Sequence, residues 1–260
     1  MSSVLIKIGG STVNSSGLLS ELGQSIAELI AGNDLVTVVH GGGKDIAADL
    51  EKLNKEFTFV EGQRVTDSET MTTVQKVLTG AVNKRIVANF LKENVQAFGL
   101  SGVDGQLLTA EKLTVNGADI GFVGKIKAVK NKILTGLHSA GLTPIISPVS
   151  LSDSQEFYNI NADLAASETA IALSVDDLVF ISDVPGVLIN GAVQSVITLD
   201  EIEKLIDEGH ITGGMIPKMR SAADAINRGV GRVHICGWRD THTLKEELHS
   251  EKSQGTTICK

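Results

Sequence analysis

The chain has 260 residues, with Lys+Arg 23 against Asp+Glu 31, for a formal net charge of −8 at pH 7. At about 150 residues per domain this allows one large domain or two tightly joined lobes, enough to fold without disulfide or metal staples. A hydrophobic fraction of 42% and a charged fraction of 21% exclude a disordered chain. Aromatics at 3% argue against stacking on single-stranded nucleic acid, and no Lys/Arg cluster marks a duplex or an anionic membrane as partner. The opening run Val4-Leu5-Ile6 is too short for a signal peptide, and no stretch approaches the ~20 apolar residues of a spanning helix. Cys236 and Cys259 fit buried thiols in a reducing compartment, so a cytoplasmic protein is expected.

In chain order, Val4–Ile8 predicts a first strand, and Leu18, Leu19, Leu22, Ile26, Leu29 and Ile30 keep helical spacing up to Gly32. Leu35–Val39 predicts a second strand, followed by glycines and a helix carrying Ile46, Leu50 and Leu53. Thr66-Asp-Ser-Glu69 has capping-box spacing and opens a helix through Leu78. Val82–Leu91 predicts helix, Val95–Leu100 strand, and Gln106 to Lys130 antiparallel hairpins around Asn116-Gly117. A helix from Asn131, a strand over Pro144–Ile146, an alanine-rich helix over Asn161–Leu173 and a strand over Leu178–Ile181 follow. Thr198-Leu-Asp-Glu201 is a second capping box, Pro217 opens a last long helix, and Val233–Cys236 and Thr256–Ile258 predict final strands. Alternating strands and helices imply an α/β fold with a mostly parallel sheet covered on both faces. The weakest seam is Ser174-Val175-Asp176, which joins two lobes rather than separate domains.

Ligands of such sheets bind beyond the carboxyl ends of the strands, often against helix N-termini. Two glycine clusters stand there: Lys7-Ile8-Gly9-Gly10-Ser11, and His40-Gly41-Gly42-Gly43-Lys44. Each fits an anion cradle or an ordinary tight turn, and neither is a Walker loop or a dinucleotide fingerprint. Lys7 is out of place in an aliphatic strand unless it reaches water or a partner. Lys218, in the first turn of a helix after Gly213-Gly214, opposes the helix dipole unless an anion shares the place. Together they point to one polyphosphate. Asn159-Ile-Asn161-Ala-Asp163 reads as helix capping or as catalytic. Ser182-Asp183-Val-Pro-Gly186-Val-Leu188 reads as a Pro-Gly turn or as a wrap around a ribose or base. Arg64, in Gly62-Gln63-Arg64, is a surface arginine or a bidentate carboxylate clamp. His40 is taken to end a strand, and neither histidines nor cysteines have zinc-ligand spacing.

Taken jointly, Lys-x-Gly-Gly, His-Gly-Gly-Gly, Gly-Gln-Arg, Asn-x-Asn-x-Asp-x-x-Ala, Ser-Asp-Val-x-Gly-Val and Gly-Gly-Met-x-x-Lys occur in that order over essentially the whole chain. In this the sequence resembles the amino-acid kinase family, most of all those members that phosphorylate N-acetyl-L-glutamate in arginine biosynthesis. The resemblance implies one three-layer α/β/α sandwich. Its N-terminal lobe (about 1–175) would bind the acyl amino acid and its C-terminal lobe (about 176–260) ATP. It further implies that Lys7 and Lys218 stabilise the transferring phosphoryl group, that Gly42 and Gly43 contact it through backbone N–H, and that Asp163 orients the lysines. Arg64 and Asn159 would hold N-acetyl-L-glutamate. Gly9, Gly10, Ser182, Asp183, Gly186, Leu188, Ile211 and Met215 would line the nucleotide site, with Mg²⁺ bound mainly through the nucleotide phosphates and no protein metal site. Lys44 takes no role.

The first strand begins at about Val4, without the extra N-terminal helix of the arginine-inhibited hexameric members. A homodimer without arginine feedback is therefore expected, with Met71, Val74 and Leu78 as a candidate dimer face. Other acceptors within the family, a non-catalytic sensor and a nicotinamide oxidoreductase are the alternatives, the last two disfavoured by the paired lysines and by the missing fingerprint.

Overall fold

A computed structural model of the chain describes residues 2–250 and 253–260. Its centre is an eight-stranded sheet. From edge to edge the strands are Val196–Thr198, Thr256–Cys259, Arg232–Gly237, Asp177–Ser182, Ser3–Ile8, Leu35–His40, Thr143–Ser147 and Ala97–Ser101. Pairing is parallel throughout except between Arg232–Gly237 and Thr256–Cys259. The aliphatic runs dictate this placement, because a strand buried on both faces needs apolar residues at consecutive positions. In Ser3–Ile8, Leu5 joins the core on one face while Val4, Ile6 and Ile8 join the core on the other. The expected three-layer α/β/α sandwich is thus the observed one.

The same alternation decides where Lys7 goes. Two residues from Leu5, it shares that residue's face, which the helices Ala162–Leu173 and Met215–Asn227 cover. Parallel pairing puts it beside Phe180 of Asp177–Ser182.

The segment from Gln106 to Lys130 forms the expected hairpin, Leu108–Val115 with Ala118–Val129. Asn116 and Gly117 turn it with φ of 50° and 79°, as a two-residue hairpin turn requires. With Val149–Ser152 and Phe157–Ile160 these strands close into a small barrel beside the main sheet.

Four details depart from the sequence reading. The helix Ser68–Gln75 is capped by Asp67, whose carboxylate accepts the Thr70 N–H, not by Thr66. Thr66 is occupied: its backbone bridges to Ile120 and Phe122, and its hydroxyl donates to the Arg64 carbonyl. That helix does not stop near Leu78 but runs through a π-helical stretch, Lys76–Val82, into Asn83–Lys92. The last long helix starts at Met215, so Pro217 lies inside its first turn, where its missing N–H costs nothing. Met71, Val74 and Leu78 are buried within the chain and offer no dimer face, because they pack into the core on the Val4–Ile8 side of the sheet. Among the described residues no helix is long and apolar enough to cross a membrane.

Candidate active site

The strand Ser3–Ile8 ends at Gly9-Gly10, the strand Leu35–His40 at Gly41–Gly43, and the strand Phe157–Ile160 at Asn161. All three ends open on one cleft, whose two adjoining halves measure about 490 and 480 Å³ and share Gly62, Gln63 and Asn161.

Asp163 organises the first half. Asn161 caps the helix Ala162–Leu173 by accepting the backbone N–H groups of Asp163 (2.8 Å) and Leu164 (3.3 Å). This fixes Asp163 in the first helical turn, aimed at the sheet. Its Oδ1 lies 2.8 Å from Lys7 Nζ and its Oδ2 2.9 Å from Lys218 Nζ. Burial alone would raise the Asp163 carboxyl, but the two ammonium groups hold it below the usual carboxylate range. Lys218 also stands over the Phe180 ring, 5.0 Å from its centroid. At Gly9 an added Cβ would lie 2.8 Å from Lys7 Nζ, so a side chain there would push the lysine out of its place. Two cations on one carboxylate, next to a glycine turn and a helix N-terminus, form an electropositive focus in an acidic protein.

The second half is built around Arg64. A short hairpin, Phe59–Val60 with Gln63–Arg64, carries it, and its guanidinium lies over the Phe57 ring (4.3 Å) and the Phe59 ring (4.7 Å), which meet each other edge to face. Nη2 donates to the Gly43 carbonyl at 3.1 Å. Nη1 is buried without a hydrogen-bond partner among the described residues, in a residue that lines the cavity. Across the cavity Asn159 donates its amide to Thr66 Oγ1 at 3.2 Å. Gly42 and Gly43, at the start of the helix Gly43–Lys52, line the same half, as do Gly10 and Lys44. Among the described residues no group of three His, Cys, Asp or Glu side chains could hold a metal ion.

Lys218, Asp163, Gly42, Gly43, Arg64 and Asn159 therefore line one cleft, and Lys7, which lines neither half itself, reaches it through Asp163. The positions expected to face a nucleotide are more dispersed. Ser182 ends the strand Asp177–Ser182, and Asp183, Gly186 and Leu188 follow it, none of the four lining either half, though the Asp183 carboxylate lies where a Cβ on Gly10 would meet it at 2.9 Å. Met215 begins its helix half-buried beside Gly213-Gly214, which do line the cleft. Ile211 is 1% exposed, with its side chain in the core. Sequence reasoning missed Phe57, Phe59, Thr66 and Phe180. The alternation Phe57-Thr58-Phe59 ahead of Glu61-Gly62 was the available sign of a hairpin.

The amino acid kinase family matches residues 2–237. The acetylglutamate kinase of Thermoanaerobacter sp. (strain X514) is 42% identical over 263 residues, covering 99% of this chain and 87% of that protein. The acetylglutamate kinase of Hydrogenobaculum sp. (strain Y04AAS1) is 40% identical over 259 residues, covering 98% and 90%. A crystal structure of a Streptococcus mutans UA159 protein superposes with a TM-score of 0.83 at 29% identity, covering 99% of this chain and 98% of that one.

Proposed function

Because the chain belongs to the amino acid kinase family, we propose that it transfers the γ-phosphoryl group of ATP to the side-chain carboxylate of N-acetyl-L-glutamate, giving N-acetyl-L-glutamyl 5-phosphate. The observation that carries the chemistry is the Lys7–Asp163–Lys218 bridge, two ammonium groups held 2.8 and 2.9 Å from the oxygens of one carboxylate. The acceptor follows from relatives about 40% identical along nearly their whole length.

A side-chain carboxylate has a pKa near ~4.3 and is already a nucleophile at neutral pH, so no general base is needed. The barrier lies in bringing it to an anionic phosphoryl group, which is a matter of positioning and charge neutralisation. In this reading Lys7 and Lys218 neutralise the transferring group and Asp163 holds them apart at a fixed span. Gly42 and Gly43 direct N–H groups at the same oxygens. Arg64 takes a carboxylate of N-acetyl-L-glutamate through its unpartnered Nη1, and Asn159 holds the same substrate. The lobe up to about residue 175 takes the acyl amino acid and the lobe from about 176 takes ATP. Both Asp163 oxygens already face ammonium groups, which fits a Mg²⁺ ion held by the nucleotide phosphates rather than by protein ligands. Bound that way, the ion would add charge neutralisation at the phosphates.

The same proposal includes a cytoplasmic homodimer. Free Cys236 and Cys259 suit a reducing compartment. The sheet edge Ala97–Ser101 is unpaired on one side and leaves Phe98 45% exposed, a surface suited to self-association. Light scattering tests the dimer. An ATP-dependent hydroxamate assay, which traps acyl phosphates, tests the reaction on N-acetyl-L-glutamate, glutamate, aspartate and aminoadipate. Product from N-acetyl-L-glutamate at the highest kcat/KM supports the assignment, and a preference for another acceptor overturns it.

A further inference from the structure

Beneath the Gly41–Gly43 turn lies a buried histidine to which the reaction as derived assigns no task. His40 ends its strand at 0% exposure. Its Nδ1 is 2.8 Å from the Gly41 carbonyl oxygen, and its Nε2 is 3.1 Å from Asn83 Nδ2. Asn83 is equally buried, and its own partners fix its orientation. Nδ2 donates to the Ile145 carbonyl at 2.9 Å, while Oδ1 accepts from Lys84 Nζ at 3.1 Å. Asn83 Nδ2 has two N–H groups: one goes to Ile145, and the other is directed at His40 Nε2 (3.1 Å), which is nearer than the Leu100 carbonyl (3.4 Å), so Nε2 accepts and the ring proton on Nδ1 is donated to Gly41. Burial pushes His40 down to about 4 against the opposing pull of its Gly41 hydrogen bond, so the ring is neutral near pH 7. Arg85, Lys84 and Asp45 are the charged side chains that act on it from the neighbouring helices.

The Gly41 carbonyl and the Gly42 N–H belong to one peptide unit. A trans peptide points these two groups in opposite directions, and no peptide bond among the described residues is cis. Drawing the carbonyl onto a buried ring therefore turns the Gly42 N–H the other way, outward to the cleft half that Gly41, Gly42 and Gly43 line.

The helix that carries Asn83 adds a second restraint. The π-helical stretch Lys76–Val82 directly precedes Asn83, and its Leu78 and Val82 press on Gly42. A Cβ at Gly42 would come within 2.6 Å of Leu78 Cδ2. Such π turns are uncommon and gather at functional sites.

We propose that His40 and Asn83 are positioning residues that lock the Gly41–Gly42 peptide with its N–H aimed at the transferring phosphoryl group before substrates arrive. The proposal rests on the kinase reading above. Its physical basis is preorganisation: a dipole already aimed needs no reorientation as charge develops in the transition state.

The test separates the two ring nitrogens. H40N places an amide nitrogen where Nδ1 stands, and H40Q reaches only to the position of Nε2. H40Q should lower kcat about 10–100-fold, the usual cost of losing an orienting partner, while KM for ATP and for N-acetyl-L-glutamate stays nearly constant. H40N should recover most of that loss. Melting temperatures are measured alongside, and ¹⁵N spectra of the wild-type protein read the His40 tautomer independently of any variant. Nδ1–H supports the proposal and Nε2–H overturns it. A folded H40Q with wild-type kcat also overturns it, as do H40N and H40Q that lose activity equally. If the wild-type protein makes no acyl phosphate from N-acetyl-L-glutamate, the kinase reading fails, and the tautomer still decides whether the peptide is locked.

Discussion

Replacing Lys218 with methionine separates what this lysine does for the fold from what it does for the reaction. Methionine has a similar volume and keeps apolar contact with the Phe180 ring, which lies 5.0 Å from Nζ. In the resting protein Asp163 retains Lys7 at 2.8 Å, so its carboxylate is not left uncompensated. The stability loss should be about 1.5–3 kcal/mol, the worth of one hydrogen bond to a charged group, below the 3–5 kcal/mol of an orphaned buried charge. In the transition state nothing replaces the missing cation. Loss of one preorganised donor costs about 10²–10³ in kcat, or about 2.7–4 kcal/mol. K218M should therefore fold with a melting temperature lowered by no more than about 10 °C, bind both substrates with little change in KM, and turn over a hundred to a thousand times more slowly. Its Asp163 carboxyl should titrate higher than in the wild type, because one of the two ammonium groups that depress it has gone. Hydroxamate initial rates and calorimetry measure both halves. Near-wild-type turnover would refute the reasoning, and so would a fall in kcat that merely tracks a collapse in melting temperature.

R64K keeps the charge but loses the planar fork and its packing over the Phe57 and Phe59 rings. KM for N-acetyl-L-glutamate should rise about 10–100-fold, matching one charge-assisted hydrogen bond, with KM for ATP unaltered; a rise for ATP instead refutes the lobe assignment. G9A has extended backbone at that position and should fold, yet its Cβ would occupy space 2.8 Å from Lys7 Nζ, so steady-state kinetics should show kcat reduced with stability kept. Burial alone would raise the carboxyl of Asp177, but His234 and Arg232 hold it below the usual range. A depressed carboxyl contributes stability that is complete above its unfolded value near ~3.9 and is lost as pH falls through the lower folded value. The wild type should thus lose stability below about pH 4 while D177N, weaker by about 1–3 kcal/mol at pH 7, changes less over that range in urea titrations.

The sheet was legible in the sequence because its strands are short aliphatic runs between glycine turns, a pattern with few other solutions. The lysines were legible for the opposite reason: each breaks a local rule, Lys7 by entering an apolar strand and Lys218 by standing in the first turn of a helix. What escaped depends on contacts between residues distant in the chain. Thr66 has the spacing of a cap, yet strand bridging to Ile120 and Phe122 takes its backbone, and Asp67 caps instead. Phe57 and Phe59 show no partner in sequence, since their role is set by Arg64 across a hairpin. The π turn left no compositional mark, and the Asn83–His40 contact that follows it joins residues 43 positions apart.

The cleft charges proposed to act on the phosphoryl group and the charges that stabilise the fold occupy opposite ends of the same strands. Phe180, the neighbour of Lys7, is the fourth residue of the strand Asp177–Ser182 and supports the cleft at its carboxyl end. Asp177, the first residue of that strand, lies at the other end with Arg232 and His234. Parallel strands make this division natural: their carboxyl ends collect glycine turns and helix N-termini, which suit anions. Their amino ends are left for charge pairs that meet no substrate. The two ends should therefore respond separately, D177N changing stability and leaving kcat unaltered, K218M lowering kcat in a protein that still folds. The double variant should show both effects additively, because the sites share no partner. A large non-additive term would mean that the sheet transmits strain between its ends, and the division drawn here would fail.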